Sequence, residues 1–437
     1  MREKPVEIVE VSAWGERVGT VARAPHRGTS TFAFAREWVA SGIELAPLHM
    51  ALRPEPYTFP ELSRLTFAGL PALLADALPD AFGTALVNAW MAEQDAAAPT
   101  ITPLERLAFA ADRAMGALEF RPVLRGARED APAAVQLADL VLAARRMIVG
   151  DPAPDEAGRQ ALAQLIELGT SAGGAKPKVV VAFNPATAEL RSAHAAPTPG
   201  FEPWLVKLDG VRGVARDGHS YRPGAPAPSG RIEYAYHLMA RAAGVEMAPC
   251  RLLAEGPRRH FLTRRFDRTA AGERLHLISL CALAHLDFNL AGTHSYDQYL
   301  QTVDVLGLGP DARQQAYRRM VFNVWAVNHD DHTKNFAFVR ERHGAWRLAP
   351  AFDLTHAYRP ESRWTSRHQM AVNGRFSEIT REDLLAVGER NEVPGYRDVL
   401  GEVGAGVGSW RDFAAAAELD DDTTDRIATD IARFAPG

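Results

Sequence analysis

Apolar and polar residues alternate at the start of the chain, in VEIVEV (6–11) and again in RVGTVA (17–22), with Gly15 between them. A period of two predicts a pair of strands joined at a glycine turn. By LERLAFAADRAMGAL (104–118) the spacing has become helical, so the opening section predicts a small α+β domain. Short β-rich runs follow: KVVVAF (178–183), WLVKL (204–208) and FLTRRF (261–266). Between the last two, Tyr234, Leu238, Met239 and Ala242 recur at helical spacing. They predict a helix over 233–244, stopped by Gly244. Beyond Phe266 the pattern is mostly helical, and Tyr317, Met320, Val321, Val324, Trp325 and Val327 give the stretch 316–327 a broad apolar face. FAFV (336–339) and WRLAP (346–350), around His343 and Gly344, predict a β-hairpin.

Pro- and Gly-rich seams fall at 122–132, 151–155, 195–203 and 222–230. At roughly 150 residues per domain, 437 residues suggest three units: an N-terminal α+β subdomain (1–124), a β-rich lobe (125–268) and a helical lobe (269–437). A β-rich section with one helix, then a helix-rich section with one hairpin, is the lobe order of a protein-kinase-like fold.

Composition narrows the class only a little. With 47% hydrophobic and 24% charged residues the chain can build a core, which excludes a mainly disordered protein. A net charge of −5 argues against a free-standing DNA-coating protein and leaves room for a local basic patch. Two cysteines, Cys250 and Cys281, cannot form a disulfide framework. The start of the chain has no secretory pattern, and no apolar run reaches the roughly 18 residues of a membrane span. A cytoplasmic protein without membrane attachment is expected.

The richest chemistry lies in Asn328-His329-Asp330-Asp331-His332-Thr333-Lys334-Asn335, between an apolar helix and the hairpin, with Ala351-Phe352-Asp353-Leu354 after it. Phosphoryl transfer needs a carboxylate to orient the attacking hydroxyl, and an amide oxygen and a second carboxylate to hold Mg²⁺ on the phosphates. Asp330, Asn335 and Asp353 supply those groups in that order, as hard oxygen donors suited to Mg²⁺. A solvated polar loop is the plainer reading of any one of them; the ordered set favours the chemistry. His329 and Asp330 could alternatively belong to a metal phosphohydrolase, although no further His and Asp are compellingly placed. His332 is read as bracing the loop. Lys334 either neutralises transferring phosphate or is simply solvated. The small-residue turn at 169–174 could bring backbone N–H groups close to phosphates, but it is not a Walker A loop, because Ala175 follows Gly174. Lys207 sits among apolar neighbours and calls for a partner or ligand. Glu233 is its candidate ion-pair partner, and a snorkelling edge lysine is the plainer alternative.

Six segments in order give the chain a wider resemblance: GLPALLADALPDAFG (69–83), GTSAGGAKPK (169–178), WLVKLDG (204–210), FLTRRFDR (261–268), NHDDHTKNF (328–336) and LAPAFDLTH (348–356). Together they resemble the HipA family of serine/threonine kinases, the toxin components of HipA–HipB-type toxin–antitoxin modules. The resemblance implies ATP and Mg²⁺ as cofactors, Asp330 as the catalytic aspartate, and Asn335 and Asp353 as metal ligands. It implies nucleotide contacts at Ser171, Ala172, Gly173, Gly174, Ala175, Lys178, Lys207, Arg264, Phe266, His332 and Lys334. Autophosphorylation at Ser171, or at the neighbouring Thr170, would switch the kinase off. The implied partners are a helix-turn-helix antitoxin of the HipB kind, operator DNA mainly through that antitoxin, and a protein substrate such as an aminoacyl-tRNA synthetase. The sequence departs from some relatives at Ala175-Lys176-Pro177-Lys178 and by the second acid, Asp331. A non-catalytic, kinase-fold corepressor is the alternative from another class.

Overall fold

The alternating segments at the start of the chain form strands β1 (Ile8–Ala13) and β2 (Glu16–Arg23). Along β1, Val9, Val11 and Ala13 are buried while Glu10 is exposed. Trp14 and Gly15 turn the chain with φ of 51° and 79°. Positive φ at both central residues is what a two-residue hairpin matching the strand twist requires. Strands β3 (Ser30–Phe34) and β4 (Leu118–Arg121) complete an antiparallel sheet in the order β3-β2-β1-β4.

The helical pattern at 104–118 is used only in part. The helix Pro103–Ala110 starts on a reciprocal cap between Thr102 and Glu105. It stops where Ala111 takes a φ of 49°, and LEFR then joins the sheet beside β1.

The computed structural model describes residues 6–24, 28–94, 101–124, 135–149, 165, 168, 176–193, 198–211 and 228–436. The chain forms two units, Met1–Ala227 with Leu253–Ile278, and Pro228–Leu252 with Ser279–Gly437.

The β-rich runs form β5 (Lys178–Phe183), β6 (Leu190–Ser192), β7 (Glu202–Lys207), β8 (Cys250–Glu255) and β9 (Arg258–Arg264), ordered β6-β5-β7-β9-β8. Val179, Val181, Trp204, Val206 and Leu262 of this sheet share a core with Phe82, Leu86, Leu140 and Val141. Its register places Lys178 opposite Lys207, and Lys207 opposite Phe261. Like charges facing each other across a strand pair repel. Here Lys178 is buried and ion-paired with buried Asp80, 3.3 Å away, and Asp80 also accepts a 2.7 Å hydrogen bond from the Gly83 N–H. The change Asp80→Ala removes the carboxylate from a buried ion pair and is expected to cost about 3–5 kcal/mol. A fall in the urea midpoint is the check, and an unchanged midpoint would show the pair to be dispensable.

A second buried charge cluster holds the segment after β9. Asp267 accepts from Arg265 (2.9 and 2.6 Å), Arg268 (2.7 Å) and the Gly116 N–H (2.7 Å). Burial alone would raise its pKa; the two guanidiniums outweigh that and hold the carboxyl well below its usual range.

In the second unit the helix predicted at 233–244 runs Ser229–Ala242. It packs Tyr236 against Phe322 and Trp410. Gly244 ends it at φ 74°, where a Cβ would meet the Arg318 guanidinium at 2.8 Å, so the stop is both conformational and steric. The apolar stretch at 316–327 lies within the helix Gly309–Trp325. The predicted hairpin forms from Ala337–Arg340 and Arg347–Leu348, paired antiparallel. Among the described residues no helix is long and apolar enough to cross a membrane.

Candidate active site

The helix Gly309–Trp325 delivers the chain into the polar loop through Val327, a buried β-branched residue at φ 55°. Such a residue rarely adopts that region, and strain of this kind persists only where surrounding contacts impose it. The contacts here are backbone pairings. Ala357 N–H donates to Val327 O (3.1 Å), and His329 N–H donates to Ala357 O (3.2 Å). The segment carrying Asp353, itself at φ 54°, is thereby stitched to the residues just before Asp330.

The two adjacent acids have opposite environments. Asp330 keeps 38% of its side chain exposed, with His332 Nε2 3.7 Å from Oδ1. Asp331 is buried and saturated. It accepts from Tyr296 Oη (2.7 Å), from the Gln369 backbone N–H (2.7 Å) and from His368 Nδ1 (2.8 Å). Facing an acceptor-only carboxylate, that ring nitrogen must carry the proton. Burial raises the Asp331 pKa, but the His368 charge and the three donors outweigh it and hold the group below its usual value. The network continues inward: Asn323 Nδ2 donates to Tyr296 Oη (3.0 Å), and Asn328 Nδ2 donates to Asn323 Oδ1 (2.9 Å). A short parallel pairing of His294–Ser295 with Met370–Ala371 fixes the approach of both partners.

Thr333–Asn335 form a 3₁₀ turn, with Thr333 Oγ1 donating to Leu286 O at 2.6 Å. Asn335 Nδ2 donates to the Asp330 carbonyl at 2.8 Å. This fixes the amide and leaves its Oδ1, a hard donor, as the end not bound to the loop. Lys334 Nζ lies 5.5 Å from the Phe288 ring, and the His332 ring is 5.4 Å from the same residue. The loop thus brings together Asp330, His332, Lys334 and Asn335, and the backbone ties to Ala357 link the Asp353 segment to it. Asn335 and Asp353 both carry oxygen donors of the hard kind that Mg²⁺ takes.

His329 is turned elsewhere. It packs against Tyr358, His368 and Phe434, and its Nδ1 is 3.3 Å from Thr365 O. Among the described residues no group of three or more His, Cys, Asp or Glu is placed to hold a metal ion. The phosphohydrolase reading needs such a group.

The remaining predicted residues divide between the units. In the first, Lys178 is held by Asp80, and Lys207 Nζ lies 5.8 Å from the Phe261 ring. Arg264 is exposed, 3.9 Å from Glu202, and Phe266 follows Arg265, whose guanidinium is committed to Asp267. In the second, Glu233 is buried on the helix Ser229–Ala242. Thr170, Ser171, Ala172, Gly173, Gly174 and Ala175 lie outside the described residues. Sequence reasoning missed Tyr296, Asn323, His368 and Gln369. Asn323 alone left a sign, a lone amide among Met320, Val321, Phe322 and Val324.

Burial also makes this unit sensitive to acid. Burial drives His329 down to about 3, and it drives His237, beside Arg241, down to about 4, from 6.5. The unfolded chain therefore takes up protons first, and stability is lost as pH falls from about 6.5 toward about 4. At pH 5.5 the loss is about 1 kcal/mol per histidine. Urea midpoints at pH 7.5 and 5.5 test this, and equal midpoints would refute it.

Residues 9–121 match the model of the HipA N-terminal domain, and residues 170–436 match that of the HipA-like C-terminal domain. The chain belongs to the HipA family. The toxin–antitoxin HipA of Shewanella oneidensis MR-1, solved with HipB and its operator DNA, matches 98% of this chain over 95% of its own. The TM-score is 0.66 at 18% identity, and the match shows the α+β HipA fold that the segment order predicted. The Helicobacter pylori proinflammatory kinase CtkA aligns over 59% of this chain and 93% of its own, at 12% identity and a TM-score of 0.32. No curated protein matches the chain.

Proposed function

We propose that this HipA-family chain is an ATP- and Mg²⁺-dependent protein serine/threonine kinase of the toxin type. The observation that carries the reading is the division of labour between two neighbouring acids: Asp331 anchors the loop from within, and Asp330 sits on that anchored loop with its carboxylate partly exposed. A general base needs that combination of fixed position and open access. Asp330 would accept the hydrogen bond of the attacking hydroxyl and align it. Asn335 and Asp353 would hold Mg²⁺, which when bound neutralises charge on the phosphates. Lys207 and Lys334 would add positive charge to the phosphates. Lys178, Arg264, Phe266 and His332 are the further nucleotide contacts of the proposal, with Glu233 as the candidate partner of Lys207.

The partners are proposed by likeness to the family. The Shewanella oneidensis protein was solved with HipB and operator DNA; a helix-turn-helix antitoxin is proposed here, with DNA contacted mainly through it, in the cytoplasm. The substrate class is a translation protein such as an aminoacyl-tRNA synthetase. Autoregulation is proposed at Ser171. The full chain incubated with ATP and Mg²⁺ should gain one phosphate there, located by mass spectrometry. Activity on another protein with Ser171 unmodified would remove the autoregulation.

A further inference from the structure

The stretch 354–376 carries Arg359, Arg363, Arg367 and Arg375 against a single carboxylate, Glu361. All four arginines are exposed. Arg375 has Asp383 at 3.4 Å, whereas Arg359, Arg363 and Arg367 pair with no carboxylate among the described residues. Two exposed arginines elsewhere in this unit find acids, Arg390–Asp297 (2.9 Å) and Arg411–Asp425 (2.6 Å), whereas the exposed Arg381, Arg397, Arg426 and Arg433 pair with none among the described residues.

The three cations stand on a fixed loop. Arg359 N–H donates to Thr365 O (3.2 Å), and Ser362 Oγ accepts from the N–H groups of Trp364 and Thr365 (3.2 Å each). The loop is bonded on both sides of Asp330: Thr365 O faces His329 Nδ1 at 3.3 Å, and His368 and Gln369 hold Asp331. Arg363 and Arg367 each lie two residues from Thr365, and Arg367 directly precedes His368, so the loop that carries these arginines is bonded to the two residues flanking Asp330.

We propose that the loop 359–367 docks the acceptor polypeptide and selects a hydroxyl flanked by aspartate or glutamate. The hydroxyl rests on the kinase reading; the preference for an acidic polypeptide does not. Arg363 lies over Trp364 (4.9 Å) and Arg367 over Phe376 (5.4 Å). A stacked guanidinium still presents its N–H edge to a carboxylate. The same stacking covers the rings on which a nucleic-acid base would sit. Three cations in a chain of net charge −5 are also few for a phosphate backbone.

The test measures fluorescence anisotropy of a labelled peptide, one serine between runs of glutamate, with the full chain. Its glutamine-flanked analogue and a single-stranded oligonucleotide of equal length are run in parallel. The wild type should bind the glutamate peptide about tenfold tighter than the glutamine peptide, a difference that shrinks as salt is raised. The variant R359Q/R363Q/R367Q, checked for an unchanged melting curve, should bind both peptides alike. Arg363→Gln alone, expected to lose about a third of the preference on a logarithmic scale, serves if the triple variant melts early. Equal binding of the two peptides by the wild type, a preference that survives in the variants, or tighter binding of the oligonucleotide overturns the proposal. Phosphate transfer to the same peptides is read separately. Without any ATP-dependent transfer the kinase reading fails, and the anisotropy still decides the docking surface.

Discussion

Replacing Asp330 by alanine is expected to lower γ-phosphate transfer by about 10²–10⁴-fold, the range attributed to a positioned general base, while leaving the fold intact. The side chain is 38% exposed, and its carboxylate has His332 at 3.7 Å. Most substitutions at partly exposed positions change stability by about 1 kcal/mol or less. The Asn335 amide bonds to the Asp330 backbone carbonyl, which alanine retains, so the proposed metal ligand keeps its orientation. Transfer kinetics and a melting curve on the same preparation check both halves of the prediction. Loss of activity together with loss of fold would mean that Asp330 had been misread as an accessible group.

The neighbouring substitution should do the reverse first. In Asp331→Ala, three buried donors lose their acceptor: the Tyr296 hydroxyl, the Gln369 N–H and the His368 imidazole. Removing one member of a buried, charge-assisted network costs about 3–5 kcal/mol. Chemical denaturation reads that loss directly. Asp331→Asn keeps the shape and one acceptor oxygen but sets an amide against donors, so it should lose less, about 1–3 kcal/mol. A wild-type stability in Asp331→Ala would show that the network does not hold the loop. The contrast between residues one position apart is the sharpest consequence of the geometry, since charge, size and sequence context are nearly shared.

Much of the fold was legible because local pattern and tertiary fate agree. The alternation in VEIVEV and RVGTVA became a hairpin, and KVVVAF became a strand buried along nearly its whole length. The pattern misled at 104–118, where apolar spacing continues past Ala110 while the backbone turns at Ala111 and LEFR pairs with β1. A period cannot reveal a change of partner. In the site, Asp330 and Asn335 were readable because they share one short loop. The role of Asp331 was not, because its partners lie 35 to 38 residues away in sequence. For the same reason Lys178, noted as a phosphate contact, gave no sign of its ion pair with Asp80.

The claim that Asp330 performs phosphoryl transfer on this scaffold is tested most directly by incubating the full chain with γ-labelled ATP and Mg²⁺, beside Asp330→Ala of matched melting temperature, and counting label incorporated into protein. The account predicts incorporation by the wild type, its loss on chelation of Mg²⁺, and at most about one hundredth of it in the variant. Incorporation by Asp330→Ala at the wild-type rate would contradict it.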